Sequence, residues 1–398
     1  MPKTESRTPA AHEAYDVRAL VLQGGGALGA YQAGVYQGLN EAGIRLTELA
    51  GISIGALNVA IIAGNPLEKR VGRLQEFWDT ICQPYVGLGA NALMEHSLFQ
   101  VNDLARQFLG ALHAGSALMV GQKGFFHPRF PPAALVASLD PGCVGHYDTR
   151  PLKDTLESLC DFDRINDGGL HVSVGAVNVR TGNFTYFDNR KIRLRAEHFM
   201  ASGALPPAFP AIEIDGEYYW DGGLVSNTPL TKVLQQRPER DTLVFQVDLW
   251  SARGPVPRSM NEVGDRVQDI RYSSRTRMMT EEMRAHRKMQ RLLREVLDRV
   301  PEDQRNQDPA CRQAAELASG ARSNIIHLIY RDKPYEQHFR DFQFGPATMR
   351  EHWATGLQDI HNTLAHPRYL AMPDNSAGFV THDVHRDEIE ESMGSAKP

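Results

Sequence analysis

The chain has 398 residues, 42% of them hydrophobic, enough apolar material for a sizeable core and a further structural unit. A formal net charge of −5 gives no general electrostatic case for nucleic-acid binding. No apolar stretch approaches the ~18 residues of a membrane span, and the opening "MPKTESRTPAAHEAYDVR" has no apolar signal core, so a soluble, cytoplasmic protein is the expectation.

In chain order, residues 1–16 read as a polar tail. Residues 17–23 read as a buried strand, 24–26 as a glycine turn, and Tyr31, Val35 and Leu39 as one stripe of a helix ending near Gly43. A second short apolar run (49–52) and a second helical pattern (56–63) follow. Strand, glycine turn, helix, repeated, is the grammar of an α/β sheet with helices on its faces. From about 85 to 146 glycine, proline and aromatic residues loosen the pattern, as an insertion over one end of the sheet would. Residues 170–189 form two alternating runs around Thr181-Gly182-Asn183, a hairpin signal. Two further segments, 216–230 and 242–250, complete the sheet of a core region spanning 17–250. The region 251–373 reads as mostly helical, with one or two long helices in 265–300 and one more strand at 324–330, packed on that core. Its Arg-rich helix carries interspersed acids, so a solvated, salt-bridged face is the first reading and a contact for anionic lipid the second. Residues 374–398 read as a polar, frayed tail.

Two glycine loops carry the chemistry. Gly24-x-Gly26-x-x-Gly29 matches a dinucleotide fingerprint and sits between a strand and a helix. That use also needs an acidic residue at the end of the next strand. The nearest acid, Glu48, precedes that strand, and Ser53 stands at its end instead. Ser53 lies in Gly51-Ile52-Ser53-Ile54-Gly55, the spacing of a nucleophile elbow, where glycines two residues to either side let the backbone pass itself closely. If the two strands are neighbours, both loops open at the same sheet edge. Backbone N–H groups of Gly24, Gly25, Gly26 and Ala27 then approach the Ser53 hydroxyl, with the positive end of a helix behind them. The glycine loop therefore reads as an oxyanion hole. A serine nucleophile needs a base, and the candidate is Asp221, on an Asp-Gly-Gly turn (Asp221, Gly222, Gly223) after an aromatic strand.

These three motifs, in this order, resemble the patatin-like phospholipases, Ser–Asp dyad acyl hydrolases. The resemblance covers about residues 17–250 and includes the segment "ASGALPPAFPAIEIDG" before the aspartate. It implies a three-layer α/β/α sheet, here with an inserted cap segment and a C-terminal helical extension. It also implies hydrolysis of lipid acyl esters, phospholipids or lysophospholipids first among them, through Ser53 and Asp221, with Gly24–Ala27 as the oxyanion loop, Gly29, Gly51, Gly55, Gly222 and Gly223 supporting the turns, and no metal or organic cofactor. One departure is Leu28, where many members carry Arg or Lys, which leaves backbone N–H groups to hold the oxyanion.

Competing readings remain. A non-catalytic lipid- or granule-binding protein can use the same fold. A Ser–His–Asp esterase acting on small esters or polyesters would draw on His171 or His198. His382 and His385 have chelating spacing within a polar tail. Cys82, Cys143, Cys160 and Cys311 show no paired or metal-ligand spacing. Contact with a lipid surface must be peripheral, and "GFFHPRFPP" is either a lid or lipid-contact loop or a packed Ω-type loop. In the first case Phe125, Phe126 and Phe130, with Arg129 between, supply the contact. Oligomeric state is not legible.

Overall fold

The computed structural model describes residues 11–83, 113–135, 140–235, 239–331, 333, 340–374 and 377–383. The first half of the chain forms β1 (Val17–Leu22), α1 (Gly29–Glu41), β2 (Glu48–Gly51), α2 (Ile54–Ala63) and α3 (Arg70–Ile81), then the two-residue strands β3 (His127–Pro128) and β4 (Tyr147–Asp148). There follow α4 (Arg150–Leu159), α5 (Phe162–Asp167), β5 (His171–Asn178), β6 (Phe184–Asp188), α6 (Ala196–Ser202), β7 (Ile212–Ile214) and β8 (Glu217–Asp221). The remainder is α7 (Leu230–Leu234), β9 (Thr242–Asp248), α8 (Met260–Leu297), α9 (Glu302–Gln307), α10 (Pro309–Leu317), β10 (Ser323–Ile329), α11 (Pro346–Leu364) and β11 (Phe379–Asp383).

Nine strands make one sheet in the order β11-β10-β9-β1-β2-β5-β8-β7, with β6 also paired to β5. From β11 to β5 every pairing is parallel. Period-two alternation decides which side chains go to which face. Along β1, Leu20 and Leu22 join the cluster that contains α1, α2 and α11 residues, whereas Val17, Ala19 and Val21 join the one formed with Leu230 and Val233 of α7 and Met283 of α8. Neighbouring strands repeat this split, with Phe245 and Ile326 on the first side, Val244 and Ile325 on the second. The result is the expected α/β/α sandwich. Strands buried on both faces read as near-continuous apolar runs, which is why β1 and β9 stand out in the sequence.

On the first face α1 and α11 cross with their backbones in contact. A Cβ on Gly34 would lie 2.0 Å from the Trp353 carbonyl oxygen, and one on Gly356 2.0 Å from that of Tyr31. Tyr31 Oη donates to Asp359 Oδ2 at 2.8 Å and Trp353 Nε1 to Gln37 Oε1 at 2.6 Å.

The register around β5 positions the site. Val174 pairs with Gly51 of β2 and with Phe187 of β6, so those two strands lie on opposite edges of β5. Ala176 pairs with Thr185 of β6 and Asp221 of β8, which puts β8 on the same edge as β2. Because β8 is antiparallel to β5 and β2 parallel, the two strands run towards each other and stop end to end. Ser53 follows one end and Asp221 is the other.

Three expectations change. The residues expected to fray after 373 include β11, a parallel edge strand whose Phe379 is buried in the second-face cluster. A five-residue strand with one deeply buried apolar side chain gives little signal in a polar context. The expected N-terminal tail is tied down at Tyr15, which is 2% exposed and donates to the Ala371 carbonyl. The helix expected in 265–300, one or two in number, is single and begins earlier, at Met260, capped by the Ser259 hydroxyl. Of the expected insertion, 85–112 and 136–139 lie outside the described residues.

Candidate active site

Ser53 occupies the turn between β2 and α2 with φ 55° and ψ −126°, a conformation that costs a non-glycine residue on the order of 1–3 kcal/mol. The flanking glycines are required by space. A Cβ on Gly51 would sit 2.5 Å from the Gly55 carbonyl oxygen, and one on Gly55 2.5 Å from that of Leu22. The strained turn is held from outside. Ser53 N donates to Ser202 Oγ at 3.0 Å, and that hydroxyl donates to the Gly175 carbonyl at 2.7 Å. Ser202 comes from the end of α6, and no spacing in the sequence links it to the elbow.

Asp221 ends β8 and is 2% exposed. Loss of hydration pushes its carboxyl up to about 7, against the opposing influence of the nearby Ser53 hydroxyl and the Gly223 N–H. That N–H donates to Oδ1 at 2.7 Å. Gly222 is confined too, since a Cβ there would lie 2.5 Å from the Gly175 carbonyl oxygen.

The glycine loop is clamped by buried polar groups from distant segments. Gln23 Oε1 accepts from the N–H groups of Leu249 and Trp250 at 2.6 and 3.1 Å, and its Nε2 donates to Thr228 Oγ1 at 3.0 Å. The Gly24 carbonyl accepts from Asn227 Nδ2 at 3.0 Å and Trp250 Nε1 at 2.8 Å. A trans peptide carries its N–H opposite its carbonyl, so this clamp fixes the Gly25 N–H pointing away from Asn227 and Trp250. Gly24 N–H donates to the Asn227 carbonyl at 3.4 Å, whereas the N–H groups of Gly25 and Gly26 make no hydrogen bond among the described residues. Ala27 is buried behind them and does not line the cavity. Gly26 has φ +57°, and a Cβ there would come within 2.2 Å of the Asp341 carbonyl oxygen.

Gly24, Gly25, Gly26, Ser53 and Asp221 line one narrow cavity of about 80 Å³ that opens to solvent. Its walls are apolar: Ile54 and Leu57 from α2, Leu205 and Phe209, and Phe125 and Phe126. The last two correct the reading of that loop as a lipid-contact surface. They are 7% and 2% exposed and pack on Phe209, while Phe130 is 93% exposed. The C-terminal region supplies Tyr272, Asp341, Phe342 and Phe344.

Neither triad candidate approaches this cavity. His171 starts β5, opposite Glu48 at the start of β2, and lies between Asp188 Oδ1 at 2.9 Å and Glu48 Oε1 at 3.2 Å. It belongs to a buried ion-pair cluster at the far end of the strands. His198 Nδ1 accepts from the Arg195 N–H at the start of α6. No histidine lines the cavity among the described residues. His385 lies outside them, and among them no group of three or more His, Cys, Asp or Glu side chains is arranged to hold a metal ion.

An α/β/α sheet thus brings a Gly-x-Ser-x-Gly elbow and an Asp-Gly-Gly turn to one cavity. The family model for patatin-like phospholipase matches residues 20–234, more than half of the chain, and the chain belongs to that family. A second model, described as patatin phospholipase, matches residues 270–376, the region that contributes Tyr272, Asp341, Phe342 and Phe344. No curated protein matches the chain. Among solved structures, VipD from Legionella pneumophila matches across 95% of this chain and 74% of its own at 14% identity, with a TM-score of 0.33.

Proposed function

We propose that the protein hydrolyses lipid acyl esters through a Ser53–Asp221 dyad, with phospholipids and lysophospholipids the substrates suggested by its family. The observation that carries this reading is the convergence on one apolar cavity of a serine held at positive φ and a desolvated carboxyl group, beside two unpaired glycine N–H groups. Asp221 takes the proton of the Ser53 hydroxyl as Oγ attacks the ester carbonyl. The Gly25 and Gly26 N–H groups receive the charge that develops on the carbonyl oxygen. Collapse of the tetrahedral intermediate breaks the ester bond, and Asp221 returns the proton to the departing alcohol. Water, deprotonated by Asp221, then cleaves the acyl–Ser53 ester and releases the fatty acid, restoring the serine. A carboxyl whose pKa lies near 7 has the affinity needed to accept and return a proton at neutral pH. With Phe125 and Phe126 inside, Phe130 and, on α8, Met260, Met278 and Met289 are among the exposed apolar groups available for peripheral lipid contact.

A fluorophosphonate probe should label wild-type protein at Ser53. Ser53→Ala should abolish labelling and lower kcat by on the order of 10⁶ on phospholipid, lysophospholipid and p-nitrophenyl esters. A folded protein that neither labels nor turns over any ester would instead be a lipid-binding member of the family.

A further inference from the structure

The cavity holds a second carboxyl group that the dyad does not use. Asp341 lies in a short turn, Arg340–Phe342, and lines the cavity beside the glycine loop. A Cβ built on Gly26 would stand 3.3 Å from the Asp341 Cβ, so Asp341 packs directly against the glycine loop, on the same cavity as Ser53. Its Oδ1 is buried and has no hydrogen-bond partner among the described residues. An unsatisfied buried acceptor is unfavourable and calls for a donor. The turn itself is fixed. Arg340 pairs with Asp269 of α8 and stacks on Trp250 at 4.7 Å, the residue whose indole N–H holds the Gly24 carbonyl.

We propose that Asp341 is a specificity-determining residue that accepts a hydrogen bond from a free hydroxyl adjacent to the scissile ester, so that the preferred substrates are monoacyl glycerides and lysophospholipids rather than their diacyl counterparts. This rests on the acyl-hydrolase reading above. The donor has to be part of the substrate's reacting end. Asp341 adjoins the oxyanion loop, whereas a head-group cation is several atoms further from the carbonyl. In a monoacyl glyceride the neighbouring glycerol carbon carries a hydroxyl. In a diacyl lipid it carries an ester, which offers acceptors only and would leave Oδ1 unpaired against a carbonyl. Asp221 and Asp341 are the only charged side chains lining the cavity among the described residues. A phosphate is therefore disfavoured at the reacting end and belongs at the opening. Burial lifts the Asp341 carboxyl to about 6, so above that pH it is ionised and purely an acceptor.

The test compares 1-monooleoylglycerol with the oleate monoester of 1-propanol, which lacks the hydroxyls, and dioleoyl with lysooleoyl phosphatidylcholine. Wild type should favour the hydroxyl-bearing member by about 10–100-fold in kcat/KM, because sites built to pair a hydroxyl reject analogues lacking it. Asp341→Leu should bring that ratio to near one, and Asp341→Asn, which keeps an acceptor oxygen, should restore most of it. Equal losses on both members of a pair in Asp341→Leu would mean a structural role and overturn the proposal, as would an unchanged ratio. Binding of the same two monoesters to Ser53→Ala reads the contact without chemistry. A hydroxyl preference there, in a protein whose wild type hydrolyses nothing, would sink the hydrolase reading and leave the contact standing. Hydrolysis of every ester without discrimination would do the reverse.

Discussion

Replacing Asp221 by Asn should destroy activity and strengthen the fold at alkaline pH. The carboxyl is buried and its pKa is raised from 3.8 to about 7, so the folded state holds the proton more tightly than the unfolded chain does. Stability is therefore lost as pH rises from the unfolded to the folded value and levels off above it. Between pH 5 and pH 8 the linkage amounts to about 2–3 kcal/mol. Asn removes the charge yet keeps an oxygen for the Gly223 N–H bond. Wild type alone is not diagnostic, because burial raises Asp248 to about 7 and Asp341 to about 6 as well. The difference between variant and wild type isolates position 221. Urea titrations at both pH values, with unchanged m, should show the variant's advantage growing by that amount as pH rises. Wild-type kcat/KM should climb through about pH 7 over the same interval, since the base must be ionised to act. An advantage that is flat or shrinks with pH would refute the desolvated-acid account. An active Asp221→Asn enzyme would refute the base assignment.

Outcomes are also expected for the glycine loop and for the phenylalanines of "GFFHPRFPP". Gly26→Ala forces a side chain into positive φ and against the Asp341 carbonyl, so kcat should fall by roughly 10²–10³, the scale for losing one oxyanion donor; calorimetry should find no NAD or ATP binding to wild type. Phe125→Ser should destabilise by about 3–5 kcal/mol, as large-to-small core changes do, and reduce hydrolysis of soluble and vesicle substrates alike, whereas Phe130→Ser should affect only vesicle binding and leave a short-chain soluble ester unaffected.

The sequence exposed those parts of the site in which steric demand leaves a local pattern. Gly51, Gly55, Gly26 and Gly222 each face a backbone atom at 2.5 Å or closer, and their spacing advertises the turns without any knowledge of the rest. The strand–turn–helix units were legible for a similar reason, because strands buried on both faces are continuous in their apolarity. What stayed hidden was the support brought from far away. Ser202, Asn227, Trp250, Tyr272 and Asp341 act singly, and one serine or tryptophan has no period. "GFFHPRFPP" misled because neighbours in sequence go opposite ways, Phe125 and Phe126 into the cavity wall and Phe130 into solvent. His171 had the composition of a triad member. Its strand register puts it at the wrong end of the sheet.

The crossing of α1 and α11 also bears on how the chain is made. Tyr31 and Asp359, joined by a hydrogen bond, are 328 positions apart in sequence, and Gln37 and Trp353 are 316 apart. On the ribosome the helix that covers the glycine face of α1 emerges only about 300 residues after it. The strand before α1 also waits for β9 on one side, more than 200 residues downstream by register. Chains dominated by such distant contacts fold slowly and leave apolar surface uncovered in the meantime. Truncation before α11 should therefore yield an insoluble polypeptide instead of a smaller working enzyme, and chaperone supply should govern yield more strongly than any single substitution at the surface.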